Sequence, residues 1–143
     1  MIRLFSIATA LVFLLCEAAF AETHEVEMLN TGPNGDLMVF EPSFVQAAPG
    51  DTIKFIATDK GHNAVAMDDM IPDGAEPFKG GINEEIEVTL SDEGVYGVKC
   101  TPHYAMGMVM TIAVGNVEAP DDYLEGRIPP KAKKRFEQQL SNL

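Results

Sequence analysis

Cys100, Thr101, Pro102, His103, Tyr104, Ala105, Met106, Gly107 and Met108 place a thiol, an imidazole and two thioethers within one short stretch. Thiolate and thioether are soft donors that select copper, and imidazole suits the same metal. Two imidazoles and a thiolate in one plane, with a weak thioether on the axis, make an electron-transfer copper site. The stretch supplies all of that set except one imidazole.

The chain has only three histidines, His24, His62 and His103. His24 lies just past the expected end of a leader and reads as exposed and inert. His62 follows the apolar run Ile53, Phe55, Ala57 within Asp59-Lys60-Gly61-His62-Asn63, and it is the expected second imidazole. The elements that must position these groups are strands. Tyr96 and Val98 precede Cys100, and Met110, Ile112 and Val114 follow Met108, with the period of two expected of strands. That parity puts Tyr96, Val98 and Cys100 on one face, and Met108, Met110 and Ile112 on one face of the next strand. The loop between them therefore gathers Cys100, His103 and Met108 at one end of a β-structure.

A strand-end histidine followed 38 residues later by Cys-x-x-His-x-x-x-x-Met resembles the ligand pattern of the cupredoxins, and of the pseudoazurins in particular. Val39-Phe40-Glu41-Pro42, Pro49-Gly50-Asp51-Thr52, Asp69-Met70-Ile71-Pro72 and Val98 through Met108 carry the likeness alongside the His62 segment. The resemblance implies an all-β fold, a cupredoxin Greek-key β-sandwich of about eight strands with a pair of short C-terminal helices. It implies one type 1 copper ion cycling between Cu(I) and Cu(II), held by His62, Cys100, His103 and Met108. Met106 competes with Met108 for the axial place; parity and the family pattern both favour Met108, leaving Met106 as a hydrophobic cover.

The resemblance further places Asn63 beside the copper as a tie between the two ligand loops, and Met38 near the exposed histidine ligand. Pro102 lacks an N–H and cannot donate to the Cys100 sulfur. The resemblance implies that electrons leave at His103, set in an apolar patch for which Pro102, Tyr104, Ala105, Met106 and Gly107 are suitable material. Lys60, Lys79, Lys99 and Lys131 match the lysine ring that pseudoazurins carry around this port, which would steer partners by charge. The implied partners are a copper nitrite reductase or nitrous oxide reductase as acceptor and a cytochrome-type donor. A monomer in the periplasm, with no stable membrane association, is expected. The competing reading is a periplasmic copper storage or delivery protein, because Met67, Met70, Met106, Met108 and Met110 make the chain rich in thioethers.

Composition agrees with a single exported domain. Arg3, the apolar run Leu4 to Leu15 and the small-x-small site Ala19-Phe20-Ala21 read as a signal peptide over residues 1–21, leaving 22–143 as one copper-binding domain. Its removal also removes Cys16, so Cys100 has no partner for an internal disulfide. Arg3 and Glu17 cancel, so the formal net charge of −12 is unchanged by processing and gives no support to nucleic-acid binding. With every candidate donor committed to one closed site, no open coordination position or hydrolytic triad remains, and the chain is not expected to be an enzyme.

Strands are expected at Glu25 to Met28, across Met38 to Ala48 with a bend at Pro42, at Ile53 to Ala57, and at Glu84 to Leu90. Asn30 to Asp36, Pro49-Gly50-Asp51 and Ser91 to Gly94 carry turn chemistry, and one helical turn is expected near Asp69. Residues 119–143 form the helical extension. A first helix starts at Pro120-Asp121-Asp122; a second opens at Pro130, with Ala132, Phe136, Leu140 and Leu143 on its inner face and basic and amide residues outside. This helix is expected to pack on the sandwich and cover a sheet edge.

Overall fold

The computed structural model describes residues 20–143; the expected signal peptide, apart from its last two residues, lies outside that range. Eight strands form two four-stranded sheets. In chain order they are β1 (Thr23–Thr31), β2 (Leu37–Glu41), β3 (Phe44–Ala47), β4 (Asp51–Ile56), β5 (Val65–Ala66), β6 (Ile86–Leu90), β7 (Gly94–Lys99) and β8 (Val109–Val114). One sheet has the order β2-β1-β4-β6 and the other β3-β8-β7-β5. Pairing is antiparallel except for β1 with β4 and β3 with β8, which run parallel. The chain passes from the first sheet to the second at the cis Glu41–Pro42 peptide, so the extended Met38–Ala48 segment is split into β2 and β3.

Alternation decides which side chains enter the core. Val26 and Met28 of β1, Phe40 of β2, Ile53 and Phe55 of β4, and Tyr96, Val98, Met110 and Ile112 of the other sheet are all buried between the two layers. Phe40 and Phe55 meet edge to face at 6.0 Å between centroids, an arrangement that aromatic quadrupoles favour. The Tyr96 hydroxyl donates back to the Asp92 carbonyl at 2.8 Å and fixes the turn into β7.

The second sheet is buried on its outer face as well. Every residue of β8 is buried, because Val109 of β8 and, towards the other end of the ladder, Val95 of β7 pack outward into a second cluster with Met67, Met70, Tyr123, Ala132 and Phe136. The covering element is α1 (Pro130–Leu140), which opens at Pro130 on an extended Pro129. It lies on a sheet face, not along the expected edge.

Three further expectations for this region change. The stretch after Pro120 forms reverse turns, Tyr123 N–H to Pro120 C=O and Glu125 N–H to Asp122 C=O, both 3.0 Å, in place of a first helix. Gly126 and the Pro129-Pro130 pair leave too few residues to propagate a helix there. Leu143 falls beyond the end of α1 and is exposed. Gln139, assigned by its polarity to the outer face, is buried: its amide N–H donates to the Val109 carbonyl and its oxygen accepts from the Thr111 hydroxyl. Near Asp69 the chain does make one 3-10 turn, Asp68–Met70.

Candidate metal centre

Cys100 directly follows β7, Val109 begins β8, and the eight residues between them close a compact loop containing the 3-10 turn Tyr104–Met106. The loop is held from inside by its own backbone. The Cys100 N–H donates to the Met108 carbonyl at 3.0 Å, and the Met108 N–H donates to the His103 carbonyl at 3.1 Å. Gly107 takes φ +88°, where a side chain would be strained and would also run into Lys131 of α1.

His62 arrives from the other sheet, on the loop that leaves β4. Its Nε2 lies 2.9 Å from Oδ1 of the Asn30 side chain, which makes that nitrogen the N–H donor and leaves Nδ1 with its lone pair inward. His62 Nδ1 and His103 Nδ1 are 3.1 Å apart, and Cys100 Sγ lies 3.7 Å from the first and 3.5 Å from the second. Three donors bonded to one metal at about 2.0–2.3 Å in a trigonal plane would stand roughly 3.5–3.8 Å apart. The two edges to sulfur match that spacing and the imidazole–imidazole edge is shorter, so the triangle is of the size that closes on a single small cation. Met108 is fully buried in the same core, its backbone bonded to both Cys100 and His103, whereas Met106 is 40% exposed.

Burial sets the protonation of the two innermost donors. Burial pushes the Cys100 thiol up, and the backbone N–H groups of Asn63 and His103 only partly oppose that by donating towards the sulfur. Burial, followed by the proximity of His103, pushes His62 down and keeps its imidazole neutral. A neutral imidazole is ready to bind a metal; a buried thiol becomes thiolate only when a cation compensates it.

Asn63 joins the two halves of the site. Its side-chain oxygen accepts from the Thr101 N–H at 2.8 Å, and its NH2 donates to the Gly80 carbonyl at 3.1 Å and to the Thr101 hydroxyl at 3.3 Å. Pro102, Ala105 and Met106 are exposed around a half-buried His103, and Met38 is half-buried on the main core. Lys60, Lys79 and Lys131 are exposed, and Lys99 is half-buried with its Nζ 5.1 Å from the Tyr104 ring centroid.

Residues 26–115 match the family model of copper-binding proteins of the plastocyanin/azurin family. The chain is 48% identical to the pseudoazurin of Paracoccus pantotrophus over 96% of its own length and 97% of that protein's. It is 46% identical to the pseudoazurin of Methylorubrum extorquens over 79% of its length and 78% of that protein's. The chain belongs to the pseudoazurin family. The crystal structure of the pseudoazurin from Methylobacterium extorquens AM1 superposes with a TM-score of 0.77 at 41% identity, covering 84% of this chain and 98% of that one. Pseudoazurin from Hyphomicrobium denitrificans gives the same TM-score at 40% identity, covering 85% and 98%. As a pseudoazurin the chain takes one type 1 copper ion and is a blue copper electron carrier, not an enzyme.

Two contacts escaped the sequence, one at this site and one at the opposite end of the β1/β4 pair. Asn30 sits in a turn-forming run and carries no sign that it orients His62 from 32 residues away. His24, expected to be exposed and inert, is half-buried, with Nε2 2.8 Å from Asp51 Oδ2. The Asp51 carboxylate also accepts from the Glu22 and Ala48 N–H groups at 2.8 and 2.9 Å. Asp51 belongs to the Pro-Gly-Asp turn, and only the pairing of β1 beside β4 brings His24 to it.

Proposed function

We propose that residues 22–143, after removal of a signal peptide, work in the periplasm as a monomer that passes single electrons to a copper nitrite reductase or nitrous oxide reductase. A cytochrome-type protein is the proposed donor. The ligands we assign are His62 and His103 through Nδ1, Cys100 through Sγ, and Met108 as the axial thioether. The observation that carries this reading is the triangle of donor atoms, 3.1 to 3.7 Å on a side, with one corner, His103, half-exposed.

Copper bound there supplies a one-electron Cu(I)/Cu(II) couple. The protein's part is to hold its donors still through the change. Asn30 holds the His62 ring, Asn63 ties the His62 and Cys100 loops together, and the Cys100–Met108 and Met108–His103 backbone bonds hold the remaining loop. Donors that cannot move keep the reorganisation small in either direction. His103 offers the route outward, since Cys100, His62 and Met108 are wholly buried and Lys99, the residue before the thiol, provides no aromatic path. The exposed apolar rim of Pro102, Ala105 and Met106 lets a partner approach that imidazole edge closely.

Burial of the thioethers weighs against copper storage or delivery. Met67, Met70, Met108 and Met110 are buried, leaving Met106 as the exposed one of the five. The test is the visible spectrum of the mature protein on addition of Cu(II) and then ascorbate. An intense thiolate-to-copper band that bleaches on reduction and returns on oxidation is expected. A colourless complex that gives up its metal rapidly to a Cu(I) chelator would favour delivery instead.

A further inference from the structure

The matched family region ends at residue 115, yet α1, which lies beyond it, reaches back to the ligand loop, where Lys131 packs on Gly107 and Arg135 makes hydrogen bonds. Arg135 Nη1 donates to the Met38 and Gly107 carbonyls, each at 2.7 Å, and Nη2 donates to the Leu37 carbonyl at 2.9 Å. The planar fork of a guanidinium suits such a task, because it can serve several acceptors from one fixed plane. These acceptors come from segments 97, 98 and 28 residues away in the chain.

The places it grips are unusual ones. Met38 adopts φ +55°, a left-handed conformation that non-glycine residues rarely take and that its surroundings must hold in place. The Gly107 carbonyl immediately precedes Met108, and it also accepts from the Val109 N–H at 2.9 Å. Met108 is thus fixed at its preceding carbonyl by Arg135 and Val109, at its own N–H by His103, and at its own carbonyl by Cys100. Of these bonds, only the one from Arg135 comes from outside the ligand loop and its strand.

We infer that Arg135 is a positioning residue of the copper centre. By locking the Gly107 carbonyl and the Met38 turn to one helix, it sets where the Met108 thioether stands relative to the plane of Cys100, His62 and His103. This rests on the assignment of Met108 as axial ligand. Charge is not what the site requires from Arg135, since all three acceptors are neutral carbonyls; the requirement is a fork. Lysine, a compact head with no fork, cannot span all three acceptors in the same geometry.

The experiment compares Arg135→Lys and Arg135→Met with the parent and with Leu140→Ala, which loosens α1 against its cluster without touching the site. Visible and EPR spectra of the Cu(II) proteins, copper affinity by chelator competition, and apo-protein melting are measured on each. Both Arg135 variants are expected to change the ratio of the thiolate-to-copper bands. They are also expected to bind copper about tenfold or more weakly, the usual cost of losing a ligand's support. Leu140→Ala is expected to lower the apo melting temperature and leave the spectrum as it was. Parental spectra and affinity in Arg135→Lys would overturn the inference and leave Arg135 as a fastener of α1 alone, as would a spectral change in Leu140→Ala as large as that in the Arg135 variants. If Arg135→Met does not fold, Arg135→Lys decides the matter. A parent that shows no thiolate-to-copper band would instead remove the underlying assignment of the site.

Discussion

Single side chains in this molecule act through the partners that burial leaves them. Asp51 has three donors on one carboxylate, and the Glu22 N–H, the His24 ring and the Ala48 N–H hold its pKa down to about 2, against desolvation. A depressed carboxylate stabilises the fold while it is ionised. Its contribution is therefore complete above about pH 4 and lost as the pH falls towards about 2. Asp51→Asn is expected to cost about 1–2 kcal/mol at neutral pH, as a lost charged acceptor does. It should also flatten the acid limb of a plot of melting temperature against pH in that window. An unchanged acid limb would mean that His24 and Glu22 do not hold the carboxylate in solution. Cys100 and His62 illustrate the opposite case, groups whose burial disfavours charge: the imidazole stays neutral, and the thiol would ionise only beside a compensating cation.

At the scale of elements, the helix is where local pattern and structure part company. Phe136 is fully buried with Ala132 against Val95 and Val109, so Phe136→Ala should cost about 3–5 kcal/mol by leaving a cavity. Denaturant unfolding of the apo protein measures it; a loss below 1 kcal/mol would mean that α1 contributes little to the second cluster. The strands and the ligand loop were legible because period-two alternation and a dense soft-donor motif are both local signals. Met108 and Met110 face the core as their parity requires. Gln139 was misplaced because its burial depends on acceptor and donor groups of β8 that only the tertiary structure presents. Asn30, His24 and Arg135 share that character: each acts on a segment 27 or more residues away, and nothing adjacent to them in the chain reports it. Strand order was hidden for the same reason. The parallel β1/β4 and β3/β8 pairs join strands that are not neighbours in sequence.

Over the whole molecule, charge is distributed against its average. The chain carries a formal net charge of −12, yet Lys60, Lys79, Lys99 and Lys131 lie on the segments that surround the His103 loop. Lys60 precedes His62, the Lys99 ammonium faces Tyr104, and Lys131 leans on Gly107. Steering depends on local potential, so a lysine ring here would guide an acidic partner despite the negative total. Replacing Lys60 and Lys99 with Glu should slow reduction of a nitrite reductase in stopped flow at low salt and weaken the dependence of the rate on ionic strength. The spectrum should not change. An unaltered low-salt rate would discard the ring as a docking device.

The double covering of the second sheet also orders the ways in which this protein opens. The amides of β8 have strands on both sides and side chains packed above and below, so they are expected to be among the slowest in the domain to exchange their hydrogens. The two-residue β5 at the margin of the same sheet is held by less, pairing with β7 on one side and through a single bridge from Val65 to Lys79 on the other. His62 is anchored near that short margin, whereas Met108 adjoins a central strand. A bound ion would therefore join the margin of the sheet to its centre and couple their opening into a single event.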